Sequence, residues 1–275
     1  MKFKYLGTAA AEGIPAVFCD CDICTKARQL GGKNIKTRSQ AIVDNRLLID
    51  LPSDTYMHVL LNGISLSKIK ACLITHSHED HLYATELAFR KTGFSHLEDS
   101  SPMIFYSDMK AYEIITDTIQ KYQIDKEVSA VKIDLHKEYE IEGYKVFAIR
   151  ASHSKETDPV VYTISDGEKG LMYAHDTSDF SEEEWEHLIK YNMKLDLVSL
   201  DCTEGDRPID YVGHMNIERC NKMRERLLSI GLADNNTKFV LNHFSHNGFV
   251  LHDEFEKIAK TNGFLVSYDG MEIEL

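Results

Sequence analysis

No stretch of this chain approaches the apolar length needed to cross a bilayer. The opening MKFKYLGTAA also lacks the long apolar centre and the cleavage site of a secretory signal. These absences predict a soluble, cytoplasmic protein with no membrane partner. Linkers rich in proline, glycine or serine are missing, as are heptads, low-complexity tracts and short-period repeats, so a single domain over residues 1–275 is expected. Positive charge is scarce: 31 lysines and arginines face 44 aspartates and glutamates, a formal net charge of -13. Such a field repels nucleic-acid backbones across a broad surface, so extended nucleic-acid binding is not expected. A small anionic substrate remains compatible, because bound divalent cations would dominate the potential inside a pocket.

What is present is enough apolar content, 43% of 275 residues, to bury a sizeable core. Short apolar runs read as strands: KFKYLG, then AIVD and RLLIDLP turning at Asp44-Asn45, then IKACLIT. Helical periodicity follows in TYMHVLLNG, TELAFRKTGF, DMKAYEIITDTIQKYQI and, behind a Ser181/Glu184 capping box, EEEWEHLIKYN. The second half repeats that grammar with EYEIEGYKVFAIRA, VVYTISD, GLMYAHD, DLVSLD and KFVLNH, around the helical MNIERCNKMRERLLSIG. Strand runs punctuated by helices predict two packed sheets covered outside by helices, a four-layer αββα sandwich of the α/β (α+β) class.

The sharpest feature is THSHEDH, Thr75 to His81, at the end of a strand. Two-residue alternation lets His76 and His78 share one metal, while Asp80 and His81 face a second. Two metals need further ligands at other strand ends. His153 follows YKVFAIRAS, Asp176 follows GLMYAH, and His243 follows KFVLN. Singly, each would more often be a satisfied polar residue, and His175 beside Asp176 shows the ambiguity; together they complete two sites, with a two-oxygen carboxylate such as Asp176 suited to bridging.

This H-x-H-x-D-H run with separated His, Asp and His resembles the metallo-β-lactamase superfamily over nearly the whole chain. The resemblance implies that the first metal takes His76, His78 and His153, and that the second takes Asp80, His81 and His243. It makes Asp176 the bridge and Asp50, closing RLLID, a support for a ligand histidine. The metals it favours are zinc or manganese, because such ligands suit several divalent ions.

Six cysteines in a reducing compartment point to metal ligation before disulfides. Cys72, Cys202 and Cys220 lie singly in apolar surroundings and read as buried. Cys19, Cys21 and Cys24 crowd one loop as C-x-C-x-x-C and want one more ligand for a tetrahedral zinc. His246, three residues past His243, is the expected fourth, giving a structural zinc loop at about 13–30. The approach G-T-x-x-x-x-G-x-P to these cysteines resembles the PhnP family, the cyclic phosphodiesterases accessory to carbon-phosphorus lyase. Ribonuclease Z is a more distant resemblance, and pyrroloquinoline quinone protein B shares the cysteine loop but not the intact histidine motif.

The expected reaction is hydrolysis of a small cyclic or linear phosphodiester, such as a cyclic ribose or nucleotide phosphate, by a hydroxide bridging two metals. His214, in a loop before a helix, is the expected general acid, and the catalytic pair is Asp80 and His214. Arg150 and Lys155 flank His153 and are given no role, nor are His58, His96, His136, His187 and His252. The alternatives are ribonuclease Z-like RNA cleavage, lactone or thioester hydrolysis, and non-catalytic metal binding. RNA cleavage would want a basic surface or protruding arm that the sequence lacks. A homodimer is compatible with the sequence and not specified by it.

Overall fold

Apolar residues at period two need a partner on both faces of a sheet, and the computed structural model, which describes residues 1–248 and 251–275, shows how each face is covered. In chain order the strands are β1 (Lys2–Gly7), β2 (Gln40–Val43), β3 (Leu47–Ile49), β4 (Ala71–Leu73), β5 (Met103–Ser107), β6 (Val128–Lys132), β7 (Glu138–Ile141), β8 (Tyr144–Arg150), β9 (Val160–Ser165), β10 (Gly170–Ala174), β11 (Leu197–Asp201), β12 (Lys238–Asn242), β13 (Leu265–Val266) and β14 (Glu272–Glu274). The helices are α1 (Asp22–Leu30), α2 (Thr55–Asn62), α3 (Met109–Tyr122), α4 (Glu182–Tyr191), α5 (Ile217–Ser229) and α6 (His252–Thr261). One seven-stranded sheet runs β14-β1-β2-β3-β4-β5-β6 and the other β13-β12-β11-β10-β9-β8-β7. In the first, pairings from β14 to β3 are antiparallel and those from β3 to β6 parallel. The second repeats that wiring, antiparallel from β7 to β10 and parallel from β10 to β13.

Alternation assigns the layers. Leu47 and Ile49 of β3 join Tyr5, Tyr162, Leu171 and Tyr173 in the core between the sheets. Leu48 points the other way, into a cluster with Ile115 of α3. Across the seam, Met172 and Ala174 face outward against Trp185 of α4 and Leu227 of α5. The result is the expected αββα sandwich. Burying each large side chain contributes roughly 1.5–3 kcal/mol before entropy is subtracted. Asp44 and Asn45, both at positive φ (49° and 51°), make the expected tight turn between β2 and β3. At the end of β1 the chains crowd: a Cβ on Gly7 would stand 2.0 Å from the Arg38 carbonyl oxygen.

Three local expectations are corrected. The run TELAFRKTGF gives a 3-10 segment, Ala84–Arg90, and not an α-helix; its N-cap Tyr83 makes no side-chain capping hydrogen bond to start a regular helix. The Ser181 half of the capping box is formed, but the Glu184 carboxylate turns away to His136 Nε2 at 2.7 Å and the Arg150 amide at 3.2 Å. EYEIEGYKVFAIRA is two strands, β7 and β8, folded back at Glu142 and Gly143, whose φ values are positive. Among the described residues, no helix is long and apolar enough to cross a membrane.

Candidate metal centre and active site

The parallel strands bring their ends to one edge of the seam between the sheets. There the backbone turns through the left-handed region at Asp50 after β3, Asp176 beyond β10 and His243 after β12, with φ of 64°, 48° and 62°. Residues with a Cβ seldom adopt this conformation, at a cost of about 1–3 kcal/mol each, and its use at three strand ends marks a site where side-chain direction matters. The loop after β4 adds His76, His78, Asp80 and His81.

These side chains converge. Nε2 of His76 lies 2.9 Å from Nδ1 of His78, and Nε2 of His153 lies 3.4 Å from that same atom. Asp80, His81 and His243 form the adjoining group. Asp176 stands between: its Oδ1 is 3.4 Å from His153 Nε2, and its Oδ2 is 2.8 Å from His81 Nε2 and 2.9 Å from His243 Nε2. Despite that closeness, His81 Nε2, Asp176 Oδ2 and His243 Nε2 are buried with no hydrogen-bond partner. Buried polar atoms are rarely left so, and a divalent cation among them satisfies all three. Burial works against charge on His243, but Asp176 and Asp201 push its pKa up to about 10. The cluster demands positive charge, which a metal can supply in place of protons.

The far nitrogens are committed elsewhere. Nδ1 of His81 is 2.8 Å from Asp50 Oδ2, that of His153 is 3.0 Å from the Gly213 carbonyl, and that of His243 is 2.9 Å from Thr203 Oγ1. Each Nδ1–H donates outward, so each Nε2 presents a lone pair to the centre. Asp50, which holds His81 Nδ1, also accepts through Oδ1 from the amide and hydroxyl of Thr75.

His214 faces the same cluster, with Nδ1 3.9 Å from Asp176 Oδ1. Burial lowers its pKa, but Asp201 Oδ2 at 2.9 Å outweighs that and leaves it above the ordinary histidine value. Asp201 and Thr203 went unrecognised in the sequence. Asp201 is fully buried, and it also accepts from the amides of Asp176, Thr203 and Met215. Its signal was available: DLVSLD ends on an acidic residue just as RLLID does. His175 points away into the seam, bonded to Ser199, Ser39 and Asn242, which resolves its ambiguity with Asp176. Arg150 pairs with Asp158.

Cys19, Cys21, Cys24 and His246 form a second cluster, their ligand atoms all within 4.8 Å of one another. His246 Nδ1 is 3.6 Å from Cys19 Sγ and 3.4 Å from Cys21 Sγ. Cys21 caps α1, and the Cys24 amide it accepts helps lower its thiol to about 6, whereas burial pushes Cys24 up to about 11. Cys72, Cys202 and Cys220 are buried, as expected.

Fold and clusters together define an αββα protein with paired strand-end metal-ligand groups. The chain belongs to the family described as the beta-lactamase superfamily domain, whose model matches residues 45–244. Among solved structures it is similar to a diphosphatase of the PhnP family, at 21% identity and a TM-score of 0.77 over 100% of this chain and 97% of that one. It is similar to zinc-bound PqqB from Methylobacterium extorquens, at 20% identity and a TM-score of 0.75 over 100% of both chains. Human tRNase Z, short form, gives 16% identity and a TM-score of 0.66 over 100% of this chain and 99% of that one. At these identities the likeness speaks for the fold. No curated protein matches the sequence.

Proposed function

We propose that the protein is a metal-dependent phosphodiesterase acting on a small phosphodiester. His76, His78 and His153 would hold one divalent metal, and Asp80, His81 and His243 the other, with Asp176 shared. When bound, such a pair activates water at neutral pH and offsets charge on the phosphoryl group; zinc and manganese both suit these ligands. The zinc reading of Cys19, Cys21, Cys24 and His246 is structural, since four protein ligands leave no open position.

The observation that carries the reading is the Asp201–His214 pair beside the bridging Asp176. An alkoxide leaving from phosphorus needs a proton, and an imidazolium held by a buried carboxylate is built to give one through Nε2. The net charge of -13 favours a small substrate over RNA. Thiolates in the cysteine loop favour a reducing, cytoplasmic setting.

Hydrolysis of bis(p-nitrophenyl) phosphate by wild type and His214→Ala, each with metal content measured, tests this. Turnover by wild type is expected, and a fully metallated variant should lose on the order of 100-fold on a dialkyl diester, whose leaving alkoxide needs the proton, with little change on bis(p-nitrophenyl) phosphate, whose p-nitrophenolate leaves without one. No turnover by fully metallated wild type sinks it.

A further inference from the structure

The cavity over the metal cluster, about 330 Å³, has an acidic wall. Glu12 enters it from the loop after β1, and Glu204 from the loop after β11. Ser245 donates to Glu12 Oε1, and His246 Nε2 lies 3.6 Å from that same oxygen. Tyr211 donates to Glu204 Oε1 at 2.7 Å and itself lines the cavity, 43% exposed. Each carboxylate is thus anchored through Oε1, and neither Oε2 takes a hydrogen bond from the described residues. No lysine or arginine is among the described residues that line the cavity.

A phosphoryl group seated at the metal cluster finds its countercharge on the floor. The organic arm beyond meets two carboxylates and an aromatic ring. An anionic arm is repelled there, a neutral one gains little, and an ammonium is attracted by the carboxylates and by the ring face alike. We infer that the site selects phosphodiesters whose organic arm carries a positive charge, an alkyl- or quaternary ammonium group, and that Glu12, Glu204 and Tyr211 are its specificity residues. Glu12 is positioned by the residue pair Ser245-His246, so the cysteine loop and the reaction cavity meet at one imidazole.

This rests on the phosphodiesterase reading, and the experiment separates the two. Two esters that both release p-nitrophenol are compared: p-nitrophenyl phosphorylcholine, with a cationic arm, and bis(p-nitrophenyl) phosphate, with a neutral one. Metal-loaded wild type, Glu12→Gln and Glu204→Gln are assayed for each. The ratio of kcat/KM for the cationic over the neutral ester is expected to fall about tenfold in each variant, chiefly through KM, and to fall in wild type as salt rises. A ratio within about twofold of wild type in both variants overturns the inference. If wild type cleaves neither ester, the phosphodiesterase reading has failed. Calorimetric titration with phosphorylcholine then decides the arm alone: binding weakened about tenfold by the glutamines upholds it, and no binding, or equal binding by variants and wild type, overturns it.

Discussion

Oδ2 of Asp201 lies 2.9 Å from Nδ1 of His214, and the carboxylate is sealed from solvent at the end of β11. A general acid must be protonated to act, and the carboxylate raises the pH at which His214 loses its proton. In Asp201→Asn the alkaline limb of the kcat profile therefore moves to lower pH, and kcat at neutral pH falls about 10- to 100-fold with metal retained. A limb that stays in place would remove His214 from the role.

Asp50 is sealed from solvent and orients His81 through a 2.8 Å contact. Asp50→Asn is expected to weaken the dinuclear centre about 10- to 100-fold against a competing chelator, while the cysteine cluster keeps its metal. Equal loss from both clusters would mean general unfolding.

Cys21→Ser removes a proposed zinc ligand and the cap of α1 together. Elemental analysis should find about one metal fewer per chain, and the Tm should drop, because metal binding to such a site is folding free energy. Retention of the wild-type metal count would show the cysteines to be ordinary thiols.

Stability should also report on His58, which is buried between Gln40 and Thr37. Burial lowers its pKa from 6.5 to about 4. The unfolded chain takes up a proton below about 6.5 that the fold resists until about 4, so stability is lost as pH falls through that window. The loss is at most about 3 kcal/mol, readable as the difference between wild type and His58→Gln in denaturant midpoints across the window.

Gly7 offers a purely steric prediction. The carbonyl of Arg38 stands 2.0 Å from where a Cβ would be, and backbone cannot swing aside as a side chain can. Gly7→Ala should cost about 3 kcal/mol in thermal or denaturant unfolding.

Most of the centre was legible in the sequence because its residues sit where strands end, and strand ends are readable from apolar runs. THSHEDH, His153, Asp176 and His243 needed no fold to be noticed. Asp201 escaped because a buried carboxylate reads like any polar residue at the close of DLVSLD, and its partner His214 meets it only after the loop to α5 folds back. The 3-10 course of Ala84–Arg90 escaped for another reason: its spacing is helical, and the missing cap at Tyr83 is a matter of geometry. Edge strands as short as Leu265–Val266 carry too little pattern to be seen.

The division of ligands between the two sheets has a mechanical consequence. His76, His78, Asp80 and His81 come from the sheet of β1 to β6 and β14, and His153, Asp176 and His243 from that of β7 to β13. Neither half of the chain owns the complete proposed centre, so ions bound there would act as rivets through the seam. Cut in the loop between Lys132 and Glu138, the polypeptide becomes two pieces, already joined by the β14–β1 pairing and the apolar core, that should associate more tightly in zinc or manganese than in chelator.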